Sequence, residues 1–258
     1  MNHLELFSGT HSFGKVSSKL GYNVYSLDRD LSSKCPFTDY ESKHHFKEDI
    51  LTWDYKQYPK GFFKIITASP VCMWWSNLRR SWIGRKLKAH GDKIVTGEML
   101  DEDIEKFGVP MVDKVFEIID YFSPDFYIIE NPATGRMKKY ISPLIPFYDV
   151  DYCRYSDWGY KKPTRFWTNI EGLEFIKCEN KCDNIITIKT KEGDKHKGYG
   201  TLIKSDNRKI HKTRIGISEK ERKIVKHKKD MAVTENKLKR YRIPKKVIEM
   251  FFNKINMH

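Results

Sequence analysis

Leu4-Glu5-Leu6-Phe7-Ser8-Gly9-Thr10-His11-Ser12-Phe13 is the stretch on which the fold turns. Leu4 to Phe7 is short and largely apolar, as a buried strand requires. Ser8-Gly9-Thr10 supplies turn residues, and Phe13 to Leu20 reads as a helix stopped by Gly21. Working outward, Asn23 to Leu27 reads as a second strand ending in Asp28, and His44 to Phe46 as a third ending near Asp49. Phe62 to Ala68 is an apolar run bounded by Pro70, a buried strand by its length. Met111, Val115, Ile118, Ile119 and Phe122 share one helical face. Asp125 to Ile129 is another buried strand, closed by Glu130-Asn131-Pro132, and Phe147 to Arg154 and Thr164 to Asn169 add two more. Alternating strands and helices with apolar strands predict an α/β fold with a mixed, mostly parallel sheet.

In such sheets chemistry gathers at the carboxyl ends of the strands. Those ends carry Phe7-Ser8-Gly9, Asp28, Asp49, Ser69-Pro70-Val71-Cys72 and Glu130-Asn131-Pro132. A Gly-containing turn before a helix, with an acid about 20 residues on, suits a nucleoside-bearing cofactor, whose ribose hydroxyls the acid can accept. A dinucleotide fingerprint needs two further glycines for close pyrophosphate approach, and they are missing here. The loop therefore leans towards a cofactor without a pyrophosphate.

The 258 residues suit one sizeable domain with a small appendage. Apolar residues make up 39%, enough for a core, so global disorder is not expected. No run of about 18 apolar residues exists, so no membrane helix is expected, and Met1 to Phe7 lacks the character of a signal peptide. Five scattered cysteines, an odd number, argue against a disulfide scaffold and for a reducing compartment, cytoplasmic or nuclear. The net charge of +14 is unevenly placed. Residues 1–170 hold 24 basic and 22 acidic side chains; residues 171–258 hold 24 and 12, a net of +12. The densest part runs from Ser205 to Lys229. Such a stretch suits a polyanion, most often nucleic acid, or else a solvated face in a lysine-rich chain.

Several segments together resemble the cytosine-5 DNA methyltransferases, which use S-adenosylmethionine. Leu6-Phe7-Ser8-Gly9-Thr10-His11-Ser12-Phe13 is similar to that family's D-L-F-x-G-x-G-G-F loop. Ala68-Ser69-Pro70-Val71-Cys72-Met73-Trp74-Trp75-Ser76 is similar to its S-P-P-C-Q-x-F-S nucleophile loop, and Ile128-Ile129-Glu130-Asn131-Pro132 to its E-N-V element. Thr164-Arg165-Phe166-Trp167 looks like the end of its Q-x-R-x-R strand, and Tyr241-Arg242-Ile243-Pro244 resembles the R-x-x-P segment after target recognition. The matches keep the family's order over most of the first 170 residues. The departures are His11 at the second loop glycine, Val71 before the cysteine, Met73 after it, and Pro163 at the first arginine, with Lys161 and Lys162 beside it. The terminal G-N-x-V element is not visible.

The resemblance implies a Rossmann-like class I methyltransferase domain over 1–170, a small basic recognition region over 171–235, and a C-terminal helix over 236–258 that returns to the catalytic domain. It implies Cys72, Glu130 and Arg165 as catalytic. Phe7, Gly9, Thr10, Ser12, Asp28, Arg29, Asp49, Ile50 and Pro70 would bind the cofactor, and Ser76, Arg79, Arg80 and Asn131 the substrate. Carbon 5 of cytosine is a poor nucleophile until a thiolate adds to carbon 6, so the cysteine must lose its proton. Cys72, at a strand end and just before the basic Arg79 and Arg80, suits that task; the plain alternative is a small buried cysteine. Glu130 ends an apolar strand, where a carboxyl group can hold a proton and hydrogen-bond ring nitrogen 3. Arg165 would contact the cytosine carbonyl and hold Cys72. Trp74, Trp75 and Trp82, with Arg79, Arg80, Arg85 and Lys86, form an aromatic and basic run suited to stacking and phosphate, or to packing at the sheet edge.

The expected substrate is DNA, its target base taken out of the stack. RNA, a free deoxycytidine nucleotide, or binding without catalysis are the alternatives. The short recognition segment predicts phosphate-dominated affinity and a short or relaxed site. Cys178 and Cys182, with His196 or His211 downstream, have a tolerable zinc spacing but no clear fourth ligand, so reduced free cysteines and no metal are the default expectation. The chain is expected to act as a monomer off the membrane, and a viral or phage origin is an option.

Overall fold

The computed structural model describes residues 1–189, 207–211, 238 and 241–257. Most of the Ser205–Lys229 basic stretch, His196, and much of the expected 171–235 recognition region lie outside the described residues.

Seven strands form one sheet in the order β3-β2-β1-β4-β5-β7-β6. They are β1 (Asn2–Leu6), β2 (Asn23–Leu27), β3 (His44–Phe46), β4 (Ile65–Ala68), β5 (Phe126–Pro132), β6 (Phe147–Asp151) and β7 (Pro163–Thr168). The first five pair in parallel, and β7 runs antiparallel between β5 and β6. The sheet is thus mixed and mostly parallel, as expected. The order reverses between β1 and β4, the neighbours at which such sheets open a crevice at their carboxyl ends.

The helices cover both faces, and side-chain alternation along each strand assigns residues to them. Leu4, Leu6, Ile66, Ile129 and Trp167 face one core, covered by helix α3 (Val109–Phe122) through Val112, Val115, Ile118, Ile119 and Phe122. Helix α2 (Gly97–Asp103) leads into it through a π-helical turn, Ile104–Gly108, and neither was expected from the sequence. The other face carries Ile65, Ile128 and Phe166, and is covered by α1 (Gly14–Lys19) and α4 (Lys245–Ile255). In α4, Val247, Ile248, Phe251, Phe252 and Ile255 are all buried on that core. Each such side chain contributes about 1.5–3 kcal/mol on burial, so the last helix belongs to the seven-stranded sheet rather than to a tail. Just before it, Ile243 donates its backbone N–H to Ser12 Oγ at 3.1 Å, tying the Tyr241–Pro244 segment to the loop after β1. A separate hairpin pairs β8 (Ile185–Lys189) with β9 (Asn207–His211).

One boundary differs in a way that matters. Glu130-Asn131-Pro132 does not close β5; the strand runs through it because β7 pairs alongside, with Glu130 opposite Phe166 and Asn131 opposite Arg165. Glu130 therefore has a fixed face.

Candidate active site

The loop after β1 begins at Phe7, which has a left-handed backbone (φ 54°). Gly9 follows at φ 49°, where a side chain would be strained, and donates its N–H to Asp28 Oδ2 at 2.9 Å. Asp28 Oδ1 accepts from the N–H groups of Asp30 and Leu31 at 3.0 and 2.9 Å. A carboxylate offers about four acceptor positions, so one remains on the half-exposed Asp28 for a ribose hydroxyl. Ser8 Oγ is buried without a partner at the same strand end. Asp28, the open Gly9 backbone and the orphaned Ser8 hydroxyl fit a nucleoside-bearing cofactor. Thr10 and Ser12 are buried and hydrogen-bond each other at 2.9 Å. Asp49 accepts from Leu51 N and meets Arg29, which also pairs with Asp30. Ile50, beyond β3, and Pro70, beyond β4, are both buried.

His11, standing where the resembled loop has glycine, keeps the glycine-like backbone at φ 51°. Its side chain is fully buried, hydrogen-bonded at one end and beside a carboxylate at the other. Nε2 lies 2.9 Å from Ser32 O, and Nδ1 lies 3.6 Å from Glu5 Oε2. Burial works against a charge on this imidazole, but the Glu5 carboxylate more than offsets it and holds His11 above its ordinary pKa. Glu5 also accepts from Phe13 N at 2.9 Å, at the start of α1.

Cys72 sits beyond β4 on a loop held from several sides. Ser69 N donates to Leu6 O, and Asn131 Nδ2 donates to Pro70 O at 2.8 Å. Trp75 N donates to Cys72 O at 3.2 Å, and the Trp75 ring is wholly buried in the core. Gly108 allows that burial: a Cβ there would come within 2.9 Å of the Trp75 ring. Val71 and Met73, on either side of the cysteine, are exposed, while Cys72 itself is half-buried.

Glu130 is buried, 3.6 Å from Lys162 Nζ through Oε1, and accepts from the Tyr152 hydroxyl at 3.4 Å. Burial and the Glu130 charge push the Tyr152 phenol well above its ordinary pKa, so it stays a donor. The Cys72 thiol also lies above its ordinary pKa. Burial raises it most, Lys162 opposes that, and Glu130 adds to it. Cys72, Glu130 and Lys162 thus share one electrostatic neighbourhood, capped by Tyr152.

Two expectations need correcting. Arg165 is not among the charges that act on the Cys72 thiol. It lies opposite Asn131, on the sheet face away from Glu130, where it makes a bidentate pair with Asp149 at 2.7 and 2.8 Å and stacks on Phe147. Lys162, three residues earlier and of the other parity, occupies the Glu130 side. Nor do Arg79 and Arg80 bring charge to the thiol. Arg79 is buried, pairs with Asp103 and lies between Trp74 and Trp82, and Arg80 meets Asp101. Accordingly the resting thiol is raised rather than lowered. Of the tryptophans, Trp75 is core and Trp74 stacks on Phe107 at 4.6 Å. Ser76 accepts from Leu78 N and caps a short helical turn, and Asn131 holds Pro70; both shape the loop from within.

Tyr152 carries no motif signal, and Lys162 is marked in the sequence only as a lysine beside the missing first arginine. Lys162 could have been found from the alternation of β7, once Phe166 is known to face the buried side. Elsewhere, Cys178 and Cys182 lie with His211, and Cys153 supplies the fourth donor that their spacing lacked.

This sheet, with a glycine turn after β1, an acid at the end of β2 and a cysteine beyond the end of β4, defines a Rossmann-like protein of the class I methyltransferase type. No protein-family model matches the chain. It is 41% identical over 189 residues to "Probable DNA (cytosine-5)-methyltransferase" of Frog virus 3, covering 72% of this chain and 79% of that protein. The chain belongs to the DNA (cytosine-5)-methyltransferase family. Among solved structures it is similar to the Entamoeba histolytica methyltransferase EhMeth (14% identity, 67% of this chain, 53% of that chain, TM-score 0.41). It is also similar to S. pombe Dnmt2 methyltransferase (12% identity, 68% and 51%, TM-score 0.38). The match spans about half the length of those two proteins. Among the described residues, no helix is long and apolar enough to cross a membrane.

Proposed function

We propose that the protein transfers a methyl group from S-adenosylmethionine to carbon 5 of cytosine in DNA, through a transient covalent bond to Cys72. The observation that carries this reading is the meeting of Cys72, beyond β4, and Glu130, near the carboxyl end of β5, with Lys162, just before the antiparallel β7. S-adenosylmethionine, when bound, supplies a methyl group on a sulfonium, ready to be taken by a carbon nucleophile. Phe7, Gly9, Thr10, Ser12, Asp28, Asp49, Ile50 and Pro70 would hold it, with Asp28 on a ribose hydroxyl; Arg29, paired with Asp30 and Asp49, lies at the rim.

The target base reaches Cys72 by leaving the stack. Cys72 gives up its thiol proton to the Glu130 carboxylate and its sulfur bonds to carbon 6, while the ring double-bond electrons pass to carbon 5 and so to the methyl group, whose bond to the sulfonium breaks to leave S-adenosylhomocysteine. Glu130, now carrying the proton taken from Cys72, hydrogen-bonds ring nitrogen 3 and stabilises charge as the sulfur adds. Lys162 favours the thiolate and takes the cationic place beside the base that the resemblance gave to Arg165. Loss of the carbon 5 proton to a base then reforms the double bond and expels the Cys72 sulfur, which restores the enzyme. Tyr152 and Asn131 position Glu130 and the Cys72 loop. Ser76 and Arg79 shape that loop, and the exposed Arg80 faces solvent where a phosphate could approach. Lys162 belongs on the site in addition to the residues expected from the motifs.

The +12 charge of the last third favours a polymer over a free nucleotide, and the viral relative's name favours DNA. The test offers labelled S-adenosylmethionine with DNA, RNA or dCMP to wild type and Cys72→Ser. Transfer to DNA, abolished by the substitution, is the expected result. Transfer that survives the substitution overturns the covalent route, and transfer to RNA or dCMP alone overturns the substrate.

A further inference from the structure

Away from the active site, four buried side chains converge: Cys153, Cys178, Cys182 and His211. Their ligand atoms all lie within 4.8 Å of one another. The Cys178 and Cys182 sulfurs are 3.5 Å apart, and His211 Nε2 lies 3.4 and 3.5 Å from them. Tetrahedral zinc, with sulfur at about 2.3 Å and nitrogen at about 2.0–2.1 Å, separates two sulfurs by about 3.8 Å and a sulfur from a nitrogen by about 3.6 Å. The three edges among Cys178, Cys182 and His211 are close to those of such a tetrahedron, and the Cys153 sulfur lies within 4.8 Å of all three donors. We propose that these four residues bind one zinc ion, in a structural site that fastens the β8–β9 hairpin to the end of β6.

The chain around the four donors is shaped for this. Cys178 and Cys182 flank a tight turn in which Glu179 and Asn180 both adopt left-handed backbones, at φ 44° and 57°. Lys181 N donates to Cys178 O at 2.8 Å and closes that turn, so both sulfurs point to one side. Cys153 follows β6, and His211 ends β9, paired with Ile185 just beyond Cys182. Outer contacts hold the donors in place. Asp151 Oδ2 accepts from Cys178 N at 2.9 Å, and Asn184 Nδ2 donates to Cys153 O and Ser156 O at 2.8 Å each.

The donor chemistry selects the metal class. Three soft sulfurs and an imidazole suit zinc and exclude the oxygen-seeking magnesium and calcium. Four protein ligands complete a tetrahedron and leave no place for a substrate, so the site is structural rather than catalytic. A disulfide would take two of three cysteines and leave a thiol and an imidazole buried together. Zinc uses all four and brings together chain segments far apart in sequence. Cys153 is next to Tyr152, which contacts Glu130, so the same clamp steadies the wall of the proposed catalytic pocket. His211 also stands within the basic segment expected to grip the polyanion.

The full chain, purified without a metal-binding tag, tests this by elemental analysis and by exchange with cobalt(II). The expected result is close to one zinc per chain, released when a mercurial reagent blocks the thiols, and a cobalt form with the strong visible absorption of a tetrahedral thiolate site. Cys153→Ser loses most of the metal, while Cys35→Ser, at a buried cysteine outside the cluster, keeps it. Wild-type protein that takes up neither zinc nor tetrahedral cobalt overturns the proposal, and this holds whether or not the variants fold. A Cys153→Ser protein with full zinc and an unchanged cobalt spectrum overturns it as well.

Discussion

At the scale of single residues, the Cys72 thiol is poised between two opposed charges. Burial raises its pKa, Lys162 pulls it down and Glu130 pushes it up. The resting enzyme therefore holds a protonated sulfur near neutral pH, which protects it from stray oxidation until a base is bound. The rate of Cys72 alkylation by iodoacetamide should rise with pH, with a midpoint above that of an ordinary thiol. Lys162→Met should move that midpoint up, because a cation favouring the thiolate is gone. Glu130→Gln should move it down, because a repelling charge is gone. Mass spectrometry of the Cys72 peptide reads the rate, and shifts of opposite sign would contradict the arrangement. The cysteine, the glutamate and the loop glycine were legible in short sequence patterns because each needs a specific residue type at a strand end. Lys162 was not. Its place depends on which way β7 faces, and a strand moved by one residue shows its other side. His11 shows a different limit: pattern recorded a lost glycine, whereas the backbone kept its conformation and a buried ion pair with Glu5 holds the new side chain.

At the scale of elements, the loop carrying Cys72 is held by Asn131 from β5 and by Trp75 sunk into the core. Trp75 fits because the π-helical turn before α3 presents Gly108 to its ring. Gly108→Ala should therefore cost about 1–3 kcal/mol by overpacking and should also slow methyl transfer, since the ring it displaces is three residues from the sulfur. A thermal unfolding midpoint and a turnover rate both equal to wild type would contradict this. The elements with strong apolar periodicity, β1, β4, α3 and β5, were legible in the sequence. Their hydrophobic faces must be buried whatever surrounds them. Helix α2 and the π-helical turn were not, because Gly97-Glu98-Met99-Leu100-Asp101-Glu102-Asp103 is mostly polar and buries only Leu100. The buried metal-binding cluster depends on strand pairing over about 60 residues and no local spacing reveals its fourth donor.

At the scale of the whole molecule, charge and chemistry are separated along the chain. Residues 1–170 carry a net of +2 and all the proposed catalytic groups, whereas residues 171–258 carry +12. Affinity for DNA should rest on phosphates. If about four are neutralised, a fourfold rise in salt should weaken binding on the order of a hundredfold, while a nearly flat log–log plot would contradict a phosphate grip. The central claim is that Cys72 bonds covalently to a cytosine in DNA. DNA carrying 5-fluorocytosine tests it most directly, because fluorine at carbon 5 leaves no proton to remove and the sulfur cannot be expelled once the methyl group is on. With S-adenosylmethionine present, wild-type protein should form a protein–DNA adduct that survives a denaturing gel, and Cys72→Ser should form none. An adduct of equal yield with Cys72→Ser, or no wild-type adduct with DNA that the enzyme methylates, would contradict the account.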